Sequence, residues 1–489
     1  MRITNLRWHW IAGAFFIALF AVLLSIHLGA LKKPPSAVFP PKSSEHATLT
    51  PKETWMNISQ NGRKIGYSHR TFVNTGKGYK FSETVFMRIN TMGMVQPMSF
   101  KTEGLLNRDM SLASFSFNLQ SSLFNFEVRG FVEGGNLSIY TGPPGHQNKA
   151  VLTPAKVPYL ANSVLDMAAH SSLIAGQSRT FHVFDPITMG DRPVKVTFVN
   201  REKIATHDGE KEVKKMVVDF MGVQQFAWID DEGTVIKEEG LLGVSLEKVS
   251  SREALREFAS SSADLTDIAS IKADTIITDP AALTELKLKL INADKKLFLN
   301  GDRQIFENDL LTIRKESLKP SVDQSDKAAS ELAVFLSPSP FIQSDDTDIK
   351  QKTEQIVLPS DSAVVKAGKI VQWIHQHLEK RPTLSIPNAL ETLKTMTGDC
   401  NEHAALLAAM ARAAGIPAQI EAGLVYQKGR FYYHAWNVLY LGTWVTADAV
   451  FGQLPADVTH IRLVRGSEEK QIDLLSTIGH LKIHIEDYR

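Results

Sequence analysis

Hydrophobic and polar residues follow different rhythms along this chain, and each rhythm predicts a different element. From Ile11 to Leu28 almost every position is apolar, with Arg2 and Arg7 before it and Lys32 and Lys33 after it. A run of about 18 apolar residues is just long enough to span a bilayer. Leu28 occupies the position where a cleavage site needs a small side chain, so residues 1–31 read as an uncleaved signal anchor, a transmembrane helix. The short basic head predicts a membrane-anchored, single-pass, N-in protein whose bulk is extracytoplasmic, in the periplasm. Residues 32–52 carry Pro34, Pro35, Pro40, Pro41 and Pro51 and read as a stiff Pro-rich tether.

From residue 53 to 255 the period is two. Val194, Val196 and Phe198 alternate with Lys195 and Thr197, and Val85–Ile89 and Phe115–Leu119 have strand composition. Asn61-Gly62 and Asp231-Glu232-Gly233 punctuate the runs as turns. The expectation is a β-rich antiparallel domain with no catalytic spacing, a spacer or binding module. Residues 256–336 form a small β-containing unit and linker. Leu286, Leu288 and Leu290 alternate with Lys287 and Lys289, Asn300-Gly301 is a candidate hairpin turn, and a polar stretch from Lys319 to Lys327 follows. Ser337-Pro338-Ser339-Pro340 then opens a last domain, 337–489.

Here the rhythm becomes helical. Ala367, Ile370, Val371, Ile374 and Leu378 share one face of a predicted helix over Ala363–Lys380. A second helix begins at Cys400, with Ala404, Leu407, Ala411 and Ala414 in step, Asp399 as its cap and Gly415 as its stop. Ala418–Tyr426 reads as a strand, Lys428-Gly429 as a turn, Arg430–Tyr440 as a second strand and Trp444–Ala447 as a third ending at Asp448.

Candidate chemistry falls on these elements. Cys400 is the only cysteine in the chain. A lone cysteine is more often a small buried hydrophobe, but this one stands at a helix N-terminus, where unpaired N–H groups favour the thiolate. His434 lies on one strand and Asp448 at the end of the next. If the strands are antiparallel neighbours, His434 can take the Cys400 proton while Asp448 fixes the imidazole tautomer. The Cys400 N–H is a natural oxyanion donor, with Gln372 and Trp373 as candidates for a second. His403 is close to Cys400 on the same helix, but no further cysteine or histidine cluster has ligand spacing, so no metal is expected. Trp436 and Trp444 read as core or cleft walls, and His375 and His377 as surface residues on different sides of a helix.

Gly398-Asp399-Cys400, Gly415-Ile416-Pro417-Ala418, His434-Ala435-Trp436 and Trp444 through Asp448 together resemble the core of the transglutaminase-like superfamily, over roughly residues 340–465. The resemblance implies an α+β papain-like fold, with Cys400 as nucleophile, His434 as base and Asp448 as its orienter. Ala449 stands where the family often has proline, and Asp457 is a remote alternative acid. The fold class expected is thus multidomain: an N-terminal transmembrane helix, a β-rich antiparallel domain, then an α+β papain-like transglutaminase core.

A formal charge of +1 with no basic run excludes nucleic acid as a partner. A single cysteine excludes an intrachain disulfide and suits an oxidising compartment. Calcium loops, haem motifs and nucleotide loops are lacking in the sequence, so no cofactor is expected. The function implied is a thiol acyl-transfer enzyme acting on peptide or glutamine-type amides, with a protein or peptide substrate, more readily hydrolytic than transamidating. A true transglutaminase and a non-catalytic envelope binding or assembly module are the alternatives.

Overall fold

The computed structural model describes residues 51–489 apart from 92, 122–124, 142–147, 155, 170, 172, 186–189, 208, 221–222, 259–263, 319–330, 384–386, 467–473 and 475–476. The described residues form two compact units, one ending at Asp264 and the other running from Leu265 to Arg489.

In the first unit the period-two alternation folds into a sheet of 15 strands. Lys52–Gln60 lies in the middle of the sheet order, paired with Arg63–Asn74 on one side and Val244–Val249 on the other. From there consecutive strands run outward to Asn148–Leu152 at one edge and to Ser178–Asp185 and the short Tyr159–Leu160 at the other. Asn61 and Gly62 take φ of 47° and 77°, as a tight two-residue hairpin requires. Met56, Ile58, Phe81, Met87 and Ile89 fill the buried face, each contributing about 1.5–3 kcal/mol. The same face buries Arg70, whose guanidinium lies 3.2 Å from Glu83 and 3.7 Å from Glu238. Burial opposes that charge, but Glu83, Glu238 and Asp166 outweigh it and hold Arg70 above its ordinary value.

Among the described residues the second unit holds two larger sheets and the short parallel pair Glu379–Lys380 with Thr397–Gly398. In one of the larger sheets, Ile271–Lys272, Arg430–Tyr440, Ala418–Gln427 and His460–Arg465 lie side by side, and Trp444–Ala447 also pairs with Arg430–Tyr440. The helix Cys400–Ala413 packs against the central strands and is buried from Cys400 to Ala411. Its alanines leave room for that close approach. Gly415, at φ 81°, ends it, with the Ile416 N–H returning to the Ala411 carbonyl at 2.8 Å. Lys428 and Gly429, at φ 48° and 83°, close the hairpin between the first two long strands.

The other sheet orders Gln304–Glu307, Leu310–Arg314, Glu285–Ile291 and the C-terminal Lys482–Tyr488. Leu286, Leu288 and Leu290 are among its buried positions, with Leu311 and Ile313. The hairpin turns at Asn308–Asp309, both at positive φ, and not at Asn300-Gly301. Asn300 instead accepts from the Phe306 N–H at 2.7 Å through its side chain, which stabilises a separate turn. Residues on both sides of position 337 share this sheet.

Two expectations are corrected. The described residues are mostly β, 51% strand against 20% helix. The transmembrane helix expected over Ile11–Leu28 lies outside the described residues. Among the described residues no helix is long and apolar enough to cross a membrane. The longest of them, Ala363–His377, has 15 residues and carries Lys366, Lys369 and Gln372 off its apolar face, short of the ~20 apolar residues a span requires. Single-pass anchoring, and the N-in, periplasmic placement that depended on it, are withdrawn.

Candidate active site

The nucleophile candidate is positioned by a capping network. Asp399 caps the Cys400 helix, its Oδ1 accepting from the Asn401 N–H at 3.0 Å, while Glu402 reaches back so that its Oε2 accepts from the Asp399 N–H at 2.9 Å. Thr383 Oγ1 donates to Glu402 Oε2 at 2.9 Å. Burial, and then the neighbouring Glu402, hold the Asp399 carboxyl well above the usual carboxylate range. His403 Nδ1 lies 2.6 Å from the Asp399 carbonyl oxygen, to which it donates. Burial pulls the His403 ring down to about 3, so it stays neutral. Cys400 itself is fully buried.

The register of the hairpin sets His434 opposite Gly423 and Trp436 opposite Glu421. Gly423 is required there: a Cβ would lie 2.0 Å from the Ile461 carbonyl oxygen and 2.8 Å from the Leu463 nitrogen. Its absence lets His460–Arg465 approach on the far side. Trp436 is core, its Nε1 donating to Glu421 Oε2 at 2.8 Å. Asn437 Nδ2 donates to the Ala404 carbonyl at 2.9 Å and ties the His434 strand to the Cys400 helix.

His434 Nε2 lies 2.6 Å from Asp448 Oδ2. Asp448 Oδ1 accepts from the N–H groups of Val450 at 2.6 Å and Phe451 at 3.1 Å. Burial alone would raise this carboxyl, but the two imidazoles around it outweigh burial and hold it well below the usual range. Ionised Asp448 makes His434 Nε2 the protonated nitrogen, and His434 Nδ1 is buried with no hydrogen-bond partner. His403 Nε2 is a second buried, unbonded ring nitrogen. The charges of Lys380, Asp448 and His434 act on His403, so the first turn of the Cys400 helix stands within electrostatic range of the His434–Asp448 pair.

The second imidazole on Asp448 was not legible beforehand. His460 Nε2 lies 2.9 Å from the same Asp448 Oδ2, and its Nδ1 faces Asp457. Asp457, the alternative acid, therefore serves His460 and not His434. The one available signal was a histidine inside an apolar strand, His460-Ile461-Arg462-Leu463-Val464. His434, Asp448 and His460 bring ligand-type atoms within 4.8 Å of one another, but the 2.6 and 2.9 Å separations are hydrogen-bond lengths, and a shared metal would need these donors to move apart.

The helix Ala363–His377 braces the segment after Asp448. His375 Nδ1 lies 3.0 Å from the Val450 carbonyl and Gln372 Nε2 donates to the Gly452 carbonyl at 2.7 Å. Gln372, considered above as an oxyanion donor, is thus bonded elsewhere, and Trp373 stacks on His377. His375 is half-buried against Gly452, and only His377 of the two is a surface residue. Lys380, beside His375, is drawn down to about 8 by burial, with Asp448 opposing. Arg303 donates to the carbonyls of Ala456, Asp457 and His460, and Glu316 accepts from the N–H and hydroxyl of Thr446.

The profile of the transglutaminase-like superfamily matches residues 350–449. A comparison with curated proteins gives no match. Among solved structures, a beta-barrel-like protein of a domain of unknown function from Brucella abortus is 10% identical over 41% of this chain and 96% of its own, at a TM-score of 0.34. A protein described as a "Putative Cysteine Protease" from Cytophaga hutchinsonii is 16% identical over 45% and 82%, at 0.26. A "putative protease" from Parabacteroides distasonis is 12% identical over 85% and 68%, at 0.21. The matched segment contains Cys400, His434 and Asp448, and its family supports a thiol-dependent hydrolase or acyltransferase. Residues 350–449 of this chain belong to the transglutaminase-like superfamily.

Proposed function

We propose that the chain is a thiol acyl-transfer enzyme that cleaves amides of a protein or peptide through a Cys400 thioester, with water as the usual acceptor. The Cys400 thiol gives its proton to His434 Nδ1 as sulfur attacks the carbonyl carbon. The Cys400 N–H, in the first turn of its helix, receives the oxyanion. His434 then returns the proton to the leaving amine, and water hydrolyses the thioester with the same ring as base. Asp448 keeps His434 in the tautomer whose Nδ1 is open.

The observation that carries this reading is the 2.6 Å bond from His434 Nε2 to Asp448, with the other ring nitrogen buried and unbonded. The test is mass spectrometry of candidate peptide substrates incubated with the wild type and with Cys400→Ala. Cleaved products and a thioester on Cys400, both lost in the variant, support hydrolysis. Products joined to an added primary amine support transamidation. Cys400 and His434 are both fully buried, which favours a second reading, a binding or assembly module whose thiol is occluded. A thiolate-directed activity probe separates the two: a Cys400 that stays unlabelled at neutral pH in the folded protein supports the module.

A further inference from the structure

His460 lies outside the residues matched to the family, yet it meets the same Asp448 oxygen as His434. Its Nε2 is 2.9 Å from Asp448 Oδ2, and its Nδ1 is 3.2 Å from the Asp457 carbonyl and 3.4 Å from Asp457 Oδ1. The ring is fully buried. All three of these partners are acceptors, so a neutral imidazole, with one N–H, would leave one end facing an oxygen without a proton. The ring edges onto Trp436 and Phe451, which supply no competing donor there.

Asp457 is built to hold this ring. Its Oδ1 accepts from the Thr459 N–H at 2.9 Å and the Thr459 hydroxyl at 2.6 Å, and Gln453 Nε2 donates to its Oδ2 at 2.9 Å. Gln453 exchanges backbone hydrogen bonds with Asp448, both at 2.9 Å. Asp448, Gln453, Asp457 and His460 thus close a ring of hydrogen bonds around one carboxylate.

The geometry points to His460 as a positioning residue: an imidazolium clamped between Asp448 and Asp457 that fixes Asp448 toward His434 and neutralises its charge. The inference rests on the acyl-transfer reading above and adds a residue to it. Burial works against the cation, but Asp457 and Asp448 push His460 up to about 9. The titratable and charged groups around it are Asp457 on the preceding turn, Asp448 just after the strand Trp444–Ala447, His434 two strands away, Arg303 at its own carbonyl with Glu316 behind, Arg462 on its own strand, and Lys380 beyond Asp448. Of these the two carboxylates alone touch the ring nitrogens. With Asp448 compensated from one side, positive charge on His434 is stabilised less than it would be beside a bare carboxylate, which tunes the thiolate–imidazolium pair.

The test uses the full chain. Nitrogen-15 NMR of the histidine rings, assigned by the signal lost in His460→Gln, should show both His460 nitrogens protonated at pH 7. In Asp457→Asn that ring should lose its proton at a pH lower by about one unit or more. A neutral His460 ring in the wild type, or one indifferent to Asp457→Asn, overturns the assignment. The second readout is the pH dependence of Cys400 alkylation. His460→Gln keeps a donor but removes the cation beside Asp448, so the alkaline limb of the alkylation profile should move up by about one unit. A uniformly slower profile with its limbs unmoved would show a merely structural role and overturn the proposal. Identical alkylation profiles for wild type and His434→Ala would overturn the acyl-transfer reading itself, while the NMR outcome judges the imidazolium separately.

Discussion

The side-chain amide of Gln372 donates to the carbonyl oxygen of Gly452 at 2.7 Å, a bond that ties one helix to the loop behind the candidate acid. That loop presents the Val450 and Phe451 N–H groups to Asp448. His375 grips it one step earlier, at the Val450 carbonyl. The carboxylate is therefore held by backbone donors that are themselves held by a helix, the arrangement that keeps a site within a few tenths of an ångström. Gln372→Ala should cost about 1 kcal/mol of stability and lower turnover by more than substrate affinity. Chemical denaturation and the split between kcat and KM check it; a change confined to KM would place Gln372 on the substrate instead.

Gly452 faces the His375 ring at φ 67°, and a Cβ there would meet ring atoms at 2.9 to 3.1 Å. Gly423 is more constrained, since its added Cβ would meet backbone at 2.0 Å. Backbone in a paired strand cannot yield as a ring can. Gly423→Ala should therefore destabilise by about 3 kcal/mol or more, and Gly452→Ala by about 1–2 kcal/mol. Thermal melts of the two variants test the order, and a Gly423→Ala protein as stable as the wild type would contradict the close strand approach.

Much of the site was legible because it lies in short contiguous signals. Asp399 before an alanine-rich run gave the nucleophile helix, and Lys428-Gly429 gave the hairpin that carries His434. His460 was invisible because its partners come from two separate places, a strand end at Asp448 and a turn at Asp457. Periodicity marks which face a residue takes, not which distant carboxylate waits there. The alternation of Leu286, Leu288 and Leu290 announced a strand but not its partner, which is the C-terminal segment Lys482–Tyr488. The Asn300-Gly301 signal fell next to a small turn of its own, in which Gly301 bridges Gln304 around Asp302 and Arg303 while the Asn300 side chain takes the Phe306 N–H, and the strand hairpin closes further on.

The sheet just named bears on truncation. A fragment of residues 337–489 lacks the strand partners of Lys482–Tyr488, and it also lacks Arg303 and Glu316, which hold the segment carrying Asp448 and His460. A fragment of residues 265–489 keeps all of them. The longer fragment should be monodisperse with a cooperative melt, and the shorter one should not. A cooperative melt from residues 337–489 alone would show that these contacts are dispensable.

Stability should depend on pH through His460. Its folded value, about 9, lies above its ordinary value of 6.5. The folded state therefore holds this proton more tightly than the unfolded chain. The contribution is complete below about pH 6.5 and fades as pH rises toward 9. Between pH 6 and 9, the stability difference between wild type and His460→Gln should shrink by on the order of 1–3 kcal/mol. Lys380, lowered to about 8, titrates in both proteins and cancels in that difference. Urea denaturation at several pH values measures it; a constant difference across the range would mean that His460 carries no extra proton.

The acid itself gives the sharpest contrast. Asp448→Asn keeps the shape of the side chain but removes the charge that makes His434 Nε2 the protonated nitrogen. An asparagine that offers its N–H to His434 forces the proton onto Nδ1, the nitrogen that must accept from Cys400. Turnover should fall by up to about four orders of magnitude. Cys400→Ala should abolish the acyl-enzyme, because no other thiol exists in the chain, and His434→Ala should slow Cys400 alkylation near neutral pH. Asp457→Asn should fall between wild type and Asp448→Asn, since it loosens His460 without touching His434. Parallel kinetics of the four variants check the ranking. Should Asp448→Asn and wild type turn over substrate alike, the His434–Asp448 bond would be structural, and the base would have to be sought elsewhere.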